Sequence, residues 1–521
     1  MAPTSRPLSL DTGVLFWPRG GSAQVIRYLL RELNSRGWTT TLHAGSLGKP
    51  GDPSHGSTFY KDLTLHPYDY NDAQHRFLTG RNPQGGPRPF HPSYEDRGHC
   101  PDPLFPAVPP NDADRITRAW TDHLTRHRSP DTGMLHLHHL SPLQTGARSA
   151  YPSVPRVTTL HGTELKLIDG MTRRLRLVRS AGTFPQDLAR TLHTDNPHRT
   201  GEAHRLACTA RLDDTDTELL TTTDWQKWAH CEYWLTRMRQ AAHHAGDLAV
   251  VSDQDQELAQ RLLHLDTPPP VIPNGVDTTA FQPHGLTPDE RMRHLRHWLV
   301  ADPQGWAPGQ APGSIRYTDR DLKRLLDRHG RPRPLLLWVG RYLDFKRVPI
   351  LLQAFAALRT RLDPAPALLM WGGYPGEYEG VHPADIAAHR GIQKDVFFAG
   401  WRGHDELPTG LNCADLLVAP AVNEPFGMVY LEAMACGTPP VATATGGPLR
   451  TITPTGPTAT GWLVKPDDTN DLADTLTTAL ADPAELARRG ANGRTRTLTT
   501  YSWSHTADRY LDLYNHARTH A

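Results

Sequence analysis

An arginine and a lysine stand close together just after an apolar run in the second half of the chain. Residues 335–339 are all apolar, which predicts a buried strand; Gly340-Arg341 follow directly, with Lys346 five positions beyond Arg341. A planar guanidinium and a compact ammonium on one short turn can together hold a diphosphate. Basic side chains in a loop are also ordinary surface residues, so this segment alone leaves both interpretations open.

Two carboxylates, Glu424 and Glu432, flank the start of a predicted helix at 429–435. Pro425 and Gly427 set a sharp turn before it, and the first amides of a helix have no intrahelical acceptor, so they suit a phosphate or sugar hydroxyls. The two carboxylates can contact an extended ligand at two points. The alternative is a helix cap at Glu424 and a surface residue at Glu432. The amides concerned are those of Phe426, Gly427, Met428 and Val429.

The first half of the chain offers two weaker candidates. His161 follows a predicted strand at 157–160, where a histidine can approach a sugar carbon or donate to a hydroxyl, although structural histidines are more common at such places. Gly20-Gly21 follow an apolar run at 14–17. Paired glycines let a backbone approach a ligand closely, but they equally suit a tight turn.

Strands and helices alternate around these residues. In the first half we predict strands at 14–17, 38–42, 134–138, 157–160, 248–251 and 271–272, with a helix that ends at Gly37. In the second half we predict strands at 335–339, 367–371, 396–399, 416–419 and 440–443, with helices at 348–359, 429–435 and 472–480. Such alternation predicts two doubly wound parallel sheets, which bind ligands beyond the carboxyl ends of their strands.

Three stretches do not fit a minimal sheet. Residues 50–111 are rich in Pro, Gly, His and Asp and predict an irregular excursion, which is either a lid over a ligand or a disordered decoration. Residues 171–230 are expected to be partly helical. Residues 284–334 form a third insertion, with helical patterns at 291–299 and 322–328.

Composition excludes several classes of protein. The 521 residues are enough for two domains with insertions, and 56 basic against 55 acidic side chains remove the electrostatic case for nucleic acid as a partner. Five scattered cysteines without a C-x-x-C pair predict neither a disulfide framework nor a zinc site, and they favour a cytoplasmic location. We find no secretory signal in the first ten residues and no apolar stretch near the ~18–20 residues of a membrane span. The basic runs at 173–176 and 291–297 are expected to be solvated helix faces, so no peripheral membrane contact is expected.

Taken in chain order, these segments resemble the retaining glycosyltransferases of family 4, which have the GT-B fold. The second half matches almost throughout from about residue 335 to 500, the first half matches in patches, and the three insertions do not match. The matching segments are Pro18-Arg19-Gly20-Gly21, His161-Gly162, Ile272-Pro273-Asn274-Gly275-Val276-Asp277, Gly340-Arg341 with Lys346, Trp371-Gly372-Gly373, Gly400-Trp401, the E-x7-E pair Glu424/Glu432, and the helix continuing to Gly437-Thr438-Pro439.

The resemblance implies an α/β fold of two Rossmann-like, doubly wound domains that face each other across a cleft. It places the acceptor domain at 1–283, with irregular insertions at about 50–111 and 171–230, and a linker with an insertion at 284–334. The nucleotide-sugar donor domain would occupy 335–502, and a C-terminal helix at about 503–521 would pack back on the first domain.

The resemblance also implies roles for individual residues. Gly340, Arg341 and Lys346 would bind the donor diphosphate, and Glu432 would bind the ribose hydroxyls. Glu424 would hold the donor sugar together with the amides of Phe426, Gly427, Met428 and Val429.

Further roles fall on loops of both halves. The loop at Trp401-Arg402 would lie against the base, His161 would sit near the anomeric centre, and Gly20 and Gly21 would face phosphate or acceptor. The expected catalytic residues are therefore His161, Arg341, Lys346 and Glu424.

In this family the acceptor attacks on the face that the diphosphate leaves, a phosphate oxygen takes the acceptor proton, and the configuration is retained. Fixed cations and amides stabilise the leaving group, so we expect no metal and no cofactor besides the nucleotide sugar itself. Asp253-Gln-Asp255 is accordingly predicted to cap a helix. One departure is visible: the family usually has G-G-x-P-E, whereas this chain has Gly446-Gly447-Pro448-Leu449-Arg450.

Several alternatives stay open. The donor is a UDP- or GDP-sugar. The acceptor is expected to be a small molecule of natural-product or small-metabolite biosynthesis, because the richness in Ala, Arg, Thr, Pro and His suggests an actinobacterial genome. The rival functions are a nucleotide-sugar epimerase or hydrolase on the same fold and a non-catalytic nucleotide-sugar binding protein. A homodimer is one possible oligomeric state.

Overall fold

The computed structural model describes residues 9–96, 100–376 and 378–520, which form two compact units. The first unit runs up to Ile272 and takes in the chain again from Ala507, and the second comprises Pro273–Thr506. Over the described ranges, each unit contains one parallel sheet of six strands with helices between successive strands. The predicted α/β class is therefore confirmed.

The first sheet is built from strands whose order across the sheet is β3-β2-β1-β4-β5-β6. Every neighbouring pair is parallel. The strand order reverses between β1 and β4, and the loops that leave the carboxyl ends of such a pair diverge and make room for a ligand. The strands are β1 (Ser9–Val14), β2 (Thr39–Ser46), β3 (Thr64–Asp69), β4 (Met134–His138), β5 (Arg156–Leu160) and β6 (Asp247–Val250).

Helices cover this sheet and extend beyond it. The stretch 171–230 is largely helical, and Leu177, Leu188, Leu220 and Trp225 form a small apolar core of their own there. The helices are α1 (Gly20–Ser35), α2 (Gly56–Phe59), α3 (Asn71–Leu78), α4 (Pro110–His127), α5 (Pro142–Ala150), α6 (Thr163–Ser180), α7 (Pro185–Thr191), α8 (Arg199–Ala210), α9 (Asp214–Thr222), α10 (Cys231–His243) and α11 (Asp253–Leu263).

The strands of the first half differ from the prediction at three places, one of which is 271–272, where Val271 forms only an isolated bridge with Val250. The strand expected at 14–17 is wrong, because β1 ends at Val14 and begins among polar residues at Ser9. Polar Asp11 is fully buried in it and accepts a hydrogen bond from the hydroxyl of Tyr151 at 2.7 Å. The stretch 50–111 is not irregular throughout, because it supplies the edge strand β3, where Pro67 is tolerated.

The second sheet has the strand order β12-β11-β10-β7-β8-β9, and its neighbouring strands are also parallel. Its order reverses between β7 and β10. The strands are β7 (Leu335–Gly340), β8 (Ala367–Gly372), β9 (Val396–Gly400), β10 (Leu416–Ala419), β11 (Pro440–Thr443) and β12 (Trp462–Val464). The helices are α12 (Pro288–Arg296), α13 (Asp319–Leu322), α14 (Val348–Leu358), α15 (Pro383–His389), α16 (Leu407–Asn412), α17 (Met428–Ala435), α18 (Pro448–Thr451), α19 (Thr469–Ala481) and α20 (Pro483–Thr500).

The segment expected as a linker and insertion, residues 284–334, packs within the second unit. Trp306 lies in the same apolar core as Trp338 of β7. Trp298 meets Trp371 edge to face with ring centres 4.8 Å apart. Large aromatic surfaces are thus buried by the segment that the sequence predicted to be a linker with a partly helical insertion.

The last helix, α21 (Trp503–Thr519), joins the first unit from Ala507 onward. The hydroxyl of Tyr514 lies 2.7 Å from Nδ1 of His136 on β4, and that of Tyr510 lies 3.0 Å from Oγ1 of Thr159 on β5. These contacts attach α21 to β4 and β5. Among the described residues, no helix is both long and apolar enough to cross a membrane.

Candidate active site

The loops after β7 and β10 lie side by side, because these strands are neighbours at the reversal of the second sheet. The amide of Val422 in the second loop donates to the carbonyl of Phe345 in the first at 2.8 Å. Both loops carry residues that the sequence singled out. The predicted phosphate-binding and sugar-binding segments therefore come together at the place where doubly wound sheets bind ligands.

Lys346 and Glu424 meet between these loops. The ammonium of Lys346 forms an ion pair with Oε2 of Glu424, and the two side chains are only 17% and 15% exposed. Lys346 closes a short 3₁₀ turn, Asp344–Lys346, that leads into α14. Partial burial strengthens the attraction over that of a surface pair, so each charged group fixes the position of the other.

The loop after β10 is held in one conformation by glycines. Gly427 has a φ of 79°, in the left-handed region, and a Cβ there would collide with the ring of Tyr430. Gly447 packs against the backbone of Phe426, and its amide donates to the carbonyl of Glu424 at 2.8 Å. The backbone around Glu424 is thus fixed from two sides.

Helix α17 begins directly after Gly427, and among the described residues no side chain caps it. The first amides of a helix lack intrahelical acceptors and face an incoming anion with the positive end of the helix dipole. The side chain of Phe426 is buried, so this residue can offer a ligand only its backbone. The predicted role of the amides from Phe426 to Val429 is compatible with this geometry.

Glu432 is 5% exposed, one turn inside α17. Its Oε1 lies 2.8 Å from Nε2 of His404, a residue that follows β9. The ring of His404 in turn packs on Phe281, with ring centres 5.1 Å apart. The alternative interpretation of Glu432 as a surface residue is therefore wrong.

The remaining predicted residues of the second unit occupy strand ends. Gly340 closes β7, and half-buried Arg341 follows it. Trp401, after β9, is 42% exposed and lies edge to face against exposed Tyr374, with ring centres 6.1 Å apart.

Arg402 has a different environment from that of Trp401. Its guanidinium is buried against Asp302 at 3.1 Å and Glu406 at 3.4 Å, and it also donates to the carbonyl of Trp298 at 3.0 Å. These internal partners hold the segment 298–302 against the sheet. The guanidinium of Arg402 is therefore engaged inside the unit.

In the first unit, Gly20 and Gly21 open α1 at the strand-order reversal between β1 and β4. Gly20 has a φ of 69°, both glycines are exposed, and no side chain among the described residues caps the helix. The backbone at the start of a helix of 16 residues is therefore accessible to an anion.

His161 lies at the carboxyl end of β5, beside β4. Its Nε2 is 3.0 Å from Nδ1 of His138, and its amide donates to Oε1 of Glu164 at 3.0 Å. The other oxygen of Glu164 is 3.2 Å from Nδ1 of His139. Burial, with the neighbouring His139 and His136, holds the pKa of His161 well below its usual value.

Asp253 and Asp255 stand at the start of α11. The hydroxyl of Ser252 accepts from the amide of Asp255 at 3.2 Å and donates to Oδ2 of that residue at 2.7 Å, so Ser252 caps the helix and Asp255 supports the cap. In the part of the chain that the structure describes, no group of three or more His, Cys, Asp or Glu side chains is arranged to hold a metal ion.

The glycine turn that departs from the family pattern keeps its shape. Gly447 makes the contact to Glu424 described above, and the carbonyl of Arg450 accepts from Arg496 at 2.8 Å and from the hydroxyl of Tyr501 at 3.0 Å. The residue that replaces the usual glutamate thus belongs to a turn whose backbone is tied to α20.

His138, His139, Glu164 and His404 did not emerge from the sequence. His136 and His138 alternate along β4, and His404 follows a strand end like Trp401, so alternation and strand-end position were the available signals. Neither signal shows which residue each of these side chains contacts. That information comes from the order of strands in each sheet.

Residues 324–496 match the family model described as glycosyl transferases group 1. D-inositol 3-phosphate glycosyltransferase of Rhodococcus opacus is 33% identical over 298 residues, which cover 54% of this chain and 64% of that protein. The enzyme of the same name from Salinispora arenicola is 36% identical over 189 residues, covering 35% and 41%. The chain thus matches less than two thirds of the length of these curated relatives.

Among solved structures, sucrose-phosphate synthase from Thermosynechococcus elongatus has a similar fold, with a TM-score of 0.61 and 19% identity over 99% of this chain and 100% of that one. The predicted GT-B fold is confirmed. The match to the group 1 glycosyl transferases lies in the second half of the chain, and the predicted resemblance to the family 4 glycosyltransferases is confirmed.

Proposed function

We propose that the chain is a retaining, metal-independent glycosyltransferase that moves a hexosyl group from a UDP- or GDP-sugar to a small acceptor. The observation that carries the proposal is the Lys346–Glu424 pair at the strand-order reversal of the second sheet. A cation, a carboxylate and open helix amides stand together there. These are the three kinds of group that a diphosphate joined to a sugar requires.

The cation side of the site acts on the leaving group. When the bond between the anomeric carbon and the phosphate oxygen breaks, negative charge grows on the diphosphate. Lys346, Arg341 and the first amides of α17 stabilise that charge where it appears, in a partly buried site with a reduced dielectric constant. Fixed cations take over the task that a metal ion performs in other transferases.

The carboxylate side of the site orients the donor. Glu424 accepts hydrogen bonds from hydroxyls of the transferred sugar, and Glu432 accepts from ribose hydroxyls. Held at two carboxylates, an extended nucleotide sugar has one position for its anomeric carbon, and positioning of this kind accounts for a large part of enzymatic rate enhancement.

The chemistry requires no base from the protein. The acceptor hydroxyl attacks on the face that the diphosphate leaves, a phosphate oxygen takes its proton, and the anomeric configuration is retained. His161 positions the sugar instead of acting as a base, because burial keeps its pKa well below the usual value and leaves it a weak proton acceptor.

The first acceptor to test is a cyclitol phosphate. Two relatives carry the name D-inositol 3-phosphate glycosyltransferase, and a cyclitol belongs to the class of small acceptors that the sequence suggested. The open start of α1 at Gly20 and Gly21 would suit the phosphate of such a molecule.

The proposal is tested first by binding. UDP, GDP and their hexoses are screened for thermal stabilisation; a ligand at 100 times its Kd stabilises the folded state by about 2.7 kcal/mol. Lys346→Ala and Glu424→Gln should reduce the stabilisation by the selected sugar nucleotide. Lys394→Ala is the matched control. Lys394 is exposed and lies just before β9, at the amino ends of the strands, whereas the site lies at their carboxyl ends.

Product analysis after turnover then distinguishes glycosyl transfer from the alternative functions. Release of nucleoside diphosphate together with a glycosylated acceptor of unchanged anomeric configuration supports retaining transfer, whereas an inverted product refutes retention. Conversion of the sugar nucleotide alone to its epimer, or its hydrolysis alone, would assign a different activity to the fold. Tight binding without diphosphate release with any acceptor would identify a nucleotide-sugar sensor.

A further inference from the structure

We propose that His138 fixes the tautomer of His161, so that a neutral His161 presents its Nδ1–H as a hydrogen-bond donor to the bound sugar. The identity of that ligand rests on the proposed function. The tautomer itself is a property of the chain and can be measured without any ligand.

The geometry shows why one histidine can fix the other. Nδ1 of His138 and Nε2 of His161 are 3.0 Å apart, and the two rings are inclined by only 26°. Two ring nitrogens at this distance form a hydrogen bond only when one carries a proton and the other a lone pair. Because a neutral imidazole has one ring proton, the choice made at this contact determines the tautomers of both residues.

The second ring nitrogen of His138, Nε2, decides which of the two histidines donates the hydrogen bond. This Nε2 is buried and has no partner among the described residues. If His161 donated, the only proton of His138 would lie on that Nε2 and would be a buried N–H without an acceptor. If His138 donates from Nδ1, its Nε2 carries only a lone pair. Buried donors without acceptors are rarer than unused acceptors, so His138 is the donor.

The consequence for His161 follows directly. Its Nε2 accepts the bond, so its own proton lies on Nδ1. In the described ranges no protein group forms a hydrogen bond with this Nδ1, since the other hydrogen bond of His161 goes from its backbone to Glu164. Glu164 is fully buried and also contacts His139, which fixes the backbone that carries the ring.

Neither imidazole takes a second proton under ordinary conditions. Burial, with the nearby His136, His161 and His139, keeps the pKa of His138 well below its usual value, and His161 is depressed in the same direction by burial and by its own histidine neighbours. The contact is therefore a bond between two neutral rings.

Two substitutions of His138 distinguish donation from packing. An asparagine amide occupies the position of Nδ1, so His138→Asn keeps a donor for His161. His138→Phe keeps a ring of similar size, which can still stack on His136 as His138 does at 4.3 Å, but it has no donor. Thermal midpoints of both variants show whether each still folds.

The direct readout is a long-range ¹H–¹⁵N correlation spectrum of protein labelled at the histidine ring nitrogens, in which protonated and unprotonated nitrogens resonate far apart. The His161 signals are assigned by their loss in His161→Asn. We expect a protonated Nδ1 and an unprotonated Nε2 in the parent protein and in His138→Asn, and movement of the proton toward Nε2 in His138→Phe. A protonated Nε2 in the parent protein would overturn the inference.

Activity supplies a second, independent readout. His138→Phe should lower kcat/KM about tenfold, the equivalent of one lost hydrogen bond, and His138→Asn should restore most of it. Equal losses in both variants with an unchanged His161 tautomer would mean that His138 only packs, and would also overturn the inference. If no sugar nucleotide is turned over at all, the proposed function fails, while the spectrum still decides the tautomer.

Discussion

The ammonium of Lys346 and the carboxylate of Glu424 hold each other across the reversal of the second sheet, although 78 positions separate them in the chain. Each loop is anchored at its charged residue by the other. A lysine can donate three hydrogen bonds, so the pair leaves Lys346 able to contact a diphosphate as well. A sugar nucleotide would thus enter a site whose charges are already positioned.

Removing either member of the pair should impair catalysis more than binding of the nucleotide alone. We expect Lys346→Met and Glu424→Gln each to lower kcat/KM by about 10²–10³, the usual cost of losing one group that stabilises the transition state. The double variant should lose less than the product of the two, because each single change already disturbs the partner. Steady-state kinetics with the selected donor and acceptor measure all three.

Lys394→Met is the control for the loss of a lysine, and its kcat/KM should stay near that of the parent protein. Fully multiplicative effects in the double variant would show that Lys346 and Glu424 act independently, against the coupling expected from their ion pair.

His404 should act on the donor through Glu432. With His404→Phe, the packing on Phe281 is kept, but Oε1 of Glu432 loses its partner at 2.8 Å. We expect the Kd of the nucleoside diphosphate to rise about tenfold. Calorimetry should show a smaller rise for the 2′-deoxy or 3′-deoxy nucleotide, which lacks a hydroxyl for Glu432 to accept from.

His389→Phe, at an exposed position of α15, is the matched control and should leave both affinities unchanged. An equal loss for the ribo and deoxy nucleotides in His404→Phe would place the effect elsewhere than at the ribose.

Much of the fold and part of the site follow from the sequence by simple physics. Strands that are buried on both faces consist mainly of apolar residues, so β10 and β11 are predicted with their observed bounds, and so is β4 although it includes His136 and His138. Ligand residues of a doubly wound sheet follow strand ends, and that rule selects Lys346 and Glu424 before their distance is known.

The contacts that complete the site depend on information that no local pattern contains. His404 is paired with Glu432 because β9 and α17 belong to one unit, and His138 meets His161 because β4 and β5 are neighbours. The polar strand β1 was misplaced for a related reason. Its buried Asp11 is satisfied by Tyr151, which lies 140 positions away, and an apolar pattern cannot reveal such a partner.

The first unit should lose stability in mild acid, and His123 should contribute. Burial lowers the pKa of His123 from 6.5 to about 3, with further lowering by the neighbouring His43, His127 and His66. Its stabilising contribution is therefore complete above pH 6.5 and is lost as the pH falls toward 3, by about 2 kcal/mol at pH 5. The rings that contact it are those of His43, Tyr68, Trp120 and His127.

His123→Phe tests this contribution, because Nε2 of His123 is buried without a partner among the described residues and the phenyl ring loses only the hydrogen bond of the imidazole to the backbone of His66. Thermal midpoints of the variant and the parent protein should diverge as the pH is lowered from 7 to 5, with the variant more stable at pH 5. His75→Gln, at an exposed position of α3, should follow the parent protein throughout. A constant gap between His123→Phe and the parent protein would show that His123 is not the titrating group.

Asp255 should lower the stability of the protein as the pH rises, whereas His123 lowers it as the pH falls. Burial raises its pKa from 3.8 to about 7, although the hydrogen bond from Ser252 opposes the shift. Its folded-state pKa lies above the unfolded value, so the stability that its protonated form contributes is complete below pH 3.8 and is lost as the pH rises through 7, up to about 4 kcal/mol.

Asp255→Asn keeps the size of the side chain and cannot ionise. The thermal midpoint of this variant should therefore rise relative to that of the parent protein between pH 4 and 7, and the difference should stay constant above about pH 8. Asp253→Asn, on the exposed first turn of the same helix, should show no such gain. If Asp255→Asn runs parallel to the parent protein across this range, the carboxyl is ionised from low pH onward and its burial is offset by hydrogen bonding.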